Sequence, residues 1–205
     1  MTGDSESRDG ETAIEDVSGL RIAKITSRAH LNIHEAENIR KATVAALSSR
    51  PSRKAAPMDV AWMLKLHRDM LGDVWEWAGT VRKTQTNIGV APPLIVEELK
   101  KLADDIAFWT EHREPFPIET AARLHHRAAW IHPFNNGNGR WARLLANVWL
   151  RREGHAIIRW PDDGGGETSP LRARYLAAMR AADHQDFQPL ISLLGELAPA
   201  LERGR

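Results

Sequence analysis

The chain has 205 residues, 42% of them hydrophobic and 27% charged, which is enough to bury one sizeable core and typical of a soluble globular protein. A formal net charge of +1 offers no bulk attraction to nucleic acid or membrane, and no apolar run approaches the roughly 18 residues that span a bilayer. Cysteine is absent, which excludes disulfides and thiolate metal sites and makes a reducing cytoplasm the expected setting.

Residues 1–18 are acidic and polar, without the basic start and apolar run of a secretory signal, and are expected to be a disordered N-terminal tail ahead of one domain over 19–205. Asn32, with Glu35 three residues on, reads as the N-cap of a capping box. Its helix is expected to reach Ser48, with Ala36, Ile39, Thr43, Ala46 and Leu47 inward. Met58 to Leu71 repeats the helical period, and Gly72 ends it. Trp75 and Trp77 read as packing beneath the segment that follows. From 80 to 91 the texture changes: Val81, Thr84, Thr86, Ile88 and Val90 fit no helical period and predict a small β-hairpin flap. Helices are expected again over Leu94–His112, Pro117–Ile131 and Gly139–Glu153, the last with an apolar stripe of Trp141, Leu144, Leu145 and Val148. Arg151 and Arg152 read as C-terminal charges that complement the helix dipole. Pro161–Thr168 reads as a loop, and helices near Ser169–Ala182 and Phe187–Leu197 close the chain. The fold class is therefore all-α, a helical bundle with one small extended element. His125 and His126 read as packed or hydrogen-bonded histidines rather than metal ligands.

Chemistry concentrates in WIHPFNNGNGRWARLLAN, Trp130 to Asn147, between two predicted helices. Gly137 and Gly139 let the backbone turn tightly at the N-terminus of the following helix, where unpaired N–H groups and the helix dipole favour an anion. Arg140 and Arg143 are three residues apart and are expected to share a face beside that end, a receptor for a di- or triphosphate. His132 stands at the other lip, and histidine is the side chain best suited to accept a proton near neutral pH. Each element alone has an ordinary structural reading. Their ordered combination between His132 and Arg143 points to phosphoryl or nucleotidyl transfer to a hydroxyl. Helical spacing also places Asn147 where it could orient Arg143.

HPFNNGNGRWAR resembles the signature of the Fic (Fido) family, His-x-Phe-x-(Asp/Glu)-Gly-Asn-Gly-Arg-x-x-Arg, matching it at His132, Phe134, Gly137, Asn138, Gly139, Arg140 and Arg143. LHRDMLGDVWEWAGTVRK, Leu66 to Lys83, resembles the stretch before that family's flap, and the likeness is nearest to the bacterial branch called mobile mystery protein B. The resemblance implies a helical Fic domain that moves AMP from ATP to a Ser, Thr or Tyr hydroxyl of a target protein. His132 would be the base. Backbone around Gly137 to Gly139 and the Asn138 side chain would hold phosphates, Arg140 the β-phosphate and Arg143 the γ-phosphate. Phe134 would anchor the loop, and Thr84, Thr86, Asn87, Ile88 and Gly89 would dock the target as an added strand.

Asn136 stands where the family has an acidic Mg²⁺ ligand, and an amide without the carboxylate's charge would hold the metal more weakly. That departure keeps open a nucleotide-binding regulatory protein, or a toxin–antitoxin-like component with a helix-turn-helix partner, in place of an efficient transferase. Within an N-terminal helix over 28–49, Glu37-Asn38 fits the end of the family's inhibitory pattern (Ser/Thr)-x-x-x-Glu-(Gly/Asn), although Ile33 fills the Ser/Thr position. Glu37 is therefore expected either to restrain Arg143 or to be a solvated helix charge.

Overall fold

The computed structural model describes residues 18–23, 25, 27–112, 116–160 and 169–199. The expected tail, all but Ser18, and the expected loop Pro161–Thr168 lie outside the described residues. Within them the chain forms seven α-helices: α1 Arg28–Leu47, α2 Val60–Leu71, α3 Ile95–His112, α4 Pro117–Ile131, α5 Asn138–Glu153, α6 Pro170–Asp183 and α7 Gln188–Leu197. None of the described helices is long and apolar enough to cross a membrane.

Local chemistry sets most of the boundaries. Asp59 caps α2 by accepting the Trp62 N–H at 2.7 Å, and Ser169 caps α6 by accepting the Arg172 N–H at 3.2 Å. Proline at the first turn opens α4, α6 and α7, where a missing N–H leaves no bond unmade. The expected start of α1 is corrected. Ser27, not Asn32, is its cap and accepts the His30 N–H at 3.1 Å, so the helix begins at Arg28. Its buried stripe is Leu31, Glu35, Asn38 and Ala42; of the inward set expected, Ile39, Ala46 and Leu47 pack against the core from its half-buried edge and Ala36 is exposed.

The helix α5 lies at the centre of the bundle. Trp141, Leu145 and Leu150 are fully buried, and α5 packs against α4, α1 and α2. α3 and α7 flank α4 from outside, and α6 pairs with α7. Arg152 is not a surface charge at the end of α5: it is 5% exposed and donates to the Ala56 carbonyl and to the Thr110 hydroxyl, both at 2.8 Å. The Asn147 side chain brackets Ile158, donating to its carbonyl at 2.9 Å and accepting its N–H at 3.0 Å, so it anchors the return chain and does not orient Arg143.

The hairpin expected over 80–91 is also corrected: no strand forms there. The backbone amides of its two limbs bond to a third segment and not to each other. Arg82 N–H donates to the Pro133 carbonyl at 2.9 Å, and Val90 N–H donates to the Ile131 carbonyl at 3.4 Å. With both amides directed at the end of α4 and the connection that follows it, no cross-strand ladder is left to make.

Candidate active site

The α4–α5 connection, residues 132–137, is closed at each end by left-handed backbone. His132 ends α4 with φ 52° and ψ 58°, and Gly137 begins α5 with φ 77°. A side chain at 137 would fail for two reasons, because positive φ disfavours a Cβ and an added Cβ would lie 2.6 Å from Leu71 Cδ1. Between the two caps, Phe134 is fully buried, stacked on His67 with ring centroids 3.6 Å apart and edge-on to Trp141 at 5.1 Å.

Two side chains hold this loop in shape. Asn138 accepts the Phe134 N–H and donates to the Phe134 carbonyl, both at 2.8 Å. Its amide, expected to hold phosphate, instead staples the loop from within at 2% exposure. His67, which the sequence did not single out, is fully buried. Its Nδ1 accepts the Gly79 N–H at 2.9 Å, which leaves the proton on Nε2 to donate to the Asn136 carbonyl at 3.0 Å. Burial, with Arg140 nearby, pushes the His67 pKa down to about 3, so the ring is neutral. The only signal for it was its place in the stretch resembling the family's pre-flap sequence. Nothing in its spacing marks a histidine that reaches 69 residues ahead.

His132 is 6% exposed, and burial pushes its pKa down to about 4, with the Arg82 charge acting in the same direction. Its Nδ1 lies 3.4 Å from the Ala129 carbonyl, the contact of an Nδ1–H tautomer that leaves Nε2 as the basic nitrogen. At the other end of the loop no side chain caps α5, and space beside Gly139 is open: a Cβ there would meet nothing within 4 Å. The first-turn amides of a 16-residue helix therefore face room for an anion beside a neutral imidazole's loop.

The two arginines of the motif go to different neighbours. Arg140 donates to Glu35 Oε2 at 3.0 Å, and Glu35, 4% exposed, also accepts from Trp75 Nε1 at 2.7 Å. Arg143 lies over the rings of Tyr175 and Trp160, with centroid distances of 5.3 and 5.8 Å. Tyr175 is held in turn by a 2.8 Å contact to buried His125, and His126 bonds Asp183 at 2.9 Å, so both histidines are packed partners. The restraint expected of Glu37 is corrected. Glu37 points outward and pairs with Arg40 at 2.9 Å on its own helix, because α1's inner stripe carries position 35 and leaves 37 in water. The carboxylate that reaches the motif is Glu35, and it reaches Arg140.

Asn136 Oδ1 accepts the Gly137 N–H at 2.7 Å. Among the described residues no group of three His, Asp or Glu side chains could hold a metal ion. A neutral amide oxygen already engaged by its own turn does not fit a protein-held Mg²⁺ site.

Of the segment expected to dock a target, Thr84, Asn87 and Ile88 are exposed, while Thr86 and Gly89 are half-buried. The Thr86 hydroxyl bonds within the segment, donating to the Ile88 carbonyl at 2.6 Å.

Comparison with known proteins bears on the family and the fold. Residues 57–150 match the sequence model of the Fic/DOC family. The chain is 33% identical over 147 residues to protein adenylyltransferase fic-1 of Caenorhabditis elegans, covering 67% of this chain and 27% of that protein. It is 34% identical over 145 residues to protein adenylyltransferase Fic of Nematostella vectensis, covering 68% of this chain and 32% of that protein. The chain thus spans about a quarter to a third of these curated relatives. Among solved structures, a fragment of C. elegans Fic-1 superposes with TM-score 0.63 at 27% identity, over 88% of this chain and 51% of that one. The BepC protein of Bartonella tribocorum, solved with bound AMPPNP, shares the fold with TM-score 0.66 at 20% identity, over 89% of this chain and 94% of that one.

Proposed function

Because the chain belongs to the Fic/DOC family, we propose that it is a protein adenylyltransferase, moving AMP from ATP to a Ser, Thr or Tyr hydroxyl of a target protein. The observation that carries this reading is the build of the 132–139 loop. It has an imidazole kept neutral at one end and an uncapped helix N-terminus with open space beside Gly139 at the other.

In this reaction the polyphosphate lies against the N–H groups of the first turn of α5, which Gly137 and Gly139 leave uncovered by side chains. Arg140, once detached from Glu35, neutralises the β-phosphate, and Arg143 the γ-phosphate. His132 Nε2 takes the hydroxyl proton while that oxygen attacks the α-phosphorus. The new O–P bond forms as the bond to the β-phosphate oxygen breaks, and pyrophosphate leaves. A base with a pKa near 4 is fully in its accepting form at neutral pH. Phe134 takes no part beyond anchoring the loop, and Asn138 keeps the loop's shape. The exposed edge at Thr84, Asn87 and Ile88, with Thr86 and Gly89 behind it, receives an extended stretch of the target. A cytoplasmic bacterial setting and a helix-turn-helix partner, as in the branch the motif resembles, belong to the same proposal. Co-purification from the native cell checks the partner.

The test is incubation with ATP labelled at either the α- or the γ-phosphate, comparing wild type with His132→Ala. Label from the α position alone appears on protein, and His132→Ala lowers it by roughly 10²–10⁴-fold, the usual worth of a positioned base. Asn136 favours a second reading, a nucleotide-binding regulatory protein with weak or altered transfer, since its Oδ1 is already bonded to Gly137. Nucleotide binding at the same loop with no label on any protein of the native lysate selects that reading.

A further inference from the structure

Arg82 is a buried cation beside the site that takes no part in the transfer itself. It is 2% exposed, and its guanidinium is bonded to three backbone carbonyls: His132 through Nε at 2.7 Å, Thr84 through Nη1 at 2.8 Å, and Val90 through Nη2. The acceptors come from the histidine's own peptide and from both limbs of the 80–91 segment. A planar fork of five donors is the one side chain able to hold three carbonyls arranged in this way; a lysine ammonium is a point donor on a flexible stem.

What it grips is strained. His132 sits at φ 52°, a region that a residue with a Cβ rarely adopts, and its carbonyl is the one that Arg82 holds. On the other side, Gly89 presses directly on the same residue. At φ 101° an added Cβ would lie 2.5 Å from His132 Cβ and 2.8 Å from Arg82 Nη2. The backbone bonds Arg82 N–H to Pro133 and Val90 N–H to Ile131 close the contact from both ends.

We infer that Arg82 is the positioning residue for His132: its guanidinium ties the histidine's left-handed peptide and both limbs of the flap into one unit. The proton-accepting ring and the edge that receives the target are thereby held in fixed register. This inference rests on the adenylyltransferase reading for its catalytic consequence, but its structural content does not. With the segment clamped, His132 stays covered and neutral. With the clamp removed, the segment lifts and the ring gains water.

The experiment uses the full chain with Arg82→Met, Arg82→Lys and Gly89→Ala. Three readouts are taken on each: nucleotide affinity by calorimetry with a non-hydrolysable ATP analogue, kcat for transfer, and the His132 ring titration by NMR. The Met variant is expected to bind the analogue within about twofold of wild type while kcat falls by about a hundredfold, the usual effect of misplacing a reacting group by an ångström. The His132 ring, pushed down to about 4 by burial, is expected to shift upward toward 6.5 as cover and positive charge are lost. Lysine, able to reach one carbonyl, restores part of both, and Gly89→Ala reproduces the pattern from the other side. If Arg82→Met does not fold, Arg82→Lys decides by the same readouts. A folded variant whose kcat stays within about threefold of wild type, or whose His132 titration does not move, overturns the inference. Should the wild type transfer nothing, the titration still decides the positioning role, so failure of the activity and failure of the clamp are told apart.

Discussion

Seven letters of the motif, His132 to Arg143, could be read from the sequence as chemistry, yet their side chains divide into those that face a ligand and those that hold the loop. Asn138 is legible as a motif residue but not as a staple, because its two partners are backbone atoms of Phe134 that only the folded turn brings within 2.8 Å. Asn138→Ala leaves that buried N–H and carbonyl unpaired. It should lower stability by about 3 kcal/mol, read as a shift in the urea midpoint, with Asn138→Asp, which keeps the acceptor but sets a buried carboxylate oxygen against the Phe134 carbonyl, losing at least as much. Glu35 shows the opposite failure. The spacing with Asn32 made it look like a capping residue, and the pattern at Glu37-Asn38 drew attention two residues away. Burial decides between them: Glu35 is 4% exposed and bonded to Arg140 and Trp75, whereas Glu37 stands in water beside Arg40. Glu35→Gln keeps an acceptor for the Trp75 indole but releases Arg140 from a charged partner. Affinity for an ATP analogue should therefore rise by about tenfold in calorimetry, the equivalent of one charge-assisted hydrogen bond. An unchanged affinity would show that Arg140 does not meet the nucleotide.

The helices were legible because their signals are local: an Asp or Ser cap, a proline at the first turn, an apolar period. Pro117–Ile131 and the C-terminal ends of α2, α3, α5 and α7 fall where the pattern placed them. The 80–91 segment was not legible, since what decides it lies far off in sequence; the start of α1 is set locally by Ser27, five residues before the Asn32 that competes with it as a cap. Residues 80–91 are rich in β-branched side chains, yet their amides find carbonyls at 131 and 133, and a guanidinium takes the place of the cross-strand ladder. No window of neighbouring residues contains that information. The N-terminus of α5 belongs to this scale too, because its left-handed N-cap, Gly137, aims the whole helix at the site. Gly137→Ala meets both the positive φ of 77° and Leu71 Cδ1 at 2.6 Å. A loss of about 2–4 kcal/mol is expected, seen as a fall in Tm, whereas Gly139→Ala, with nothing near its Cβ, should leave Tm nearly unchanged and weaken nucleotide binding instead. Equal losses at the two positions would contradict this division between a structural glycine and one that leaves room for a ligand.

At the scale of the whole molecule, three buried histidines link the site to the stability of the bundle. His67 locks the loop to α2, His125 supports Tyr175 under Arg143, and His132 ends α4; burial pushes their pKa values to about 3, 3 and 4. The charged groups that face them are cationic: Arg140 at His67, Arg143 and His126 at His125, and Arg82 at His132, all of which oppose protonation as burial does. In the unfolded chain the same rings titrate near 6.5. The unfolded state therefore binds more protons than the folded one between the two values, and stability rises with pH across that window. Their contribution is complete above about 6.5. It declines as pH falls, each ring costing about 1.4 kcal/mol per pH unit, until the folded pKa values near 3 to 4 are reached. A protein with the usual margin of roughly 5–15 kcal/mol should then unfold in mild acid, with the urea midpoint falling steeply between pH 6.5 and 5. His67→Gln and His125→Gln should each flatten that slope by about a third, since each removes one of three rings that titrate far below their unfolded values. A midpoint that stays flat down to pH 5 would mean that these imidazoles are not held neutral by the fold. The same finding would remove the ground for reading His132 as a base already in its accepting form.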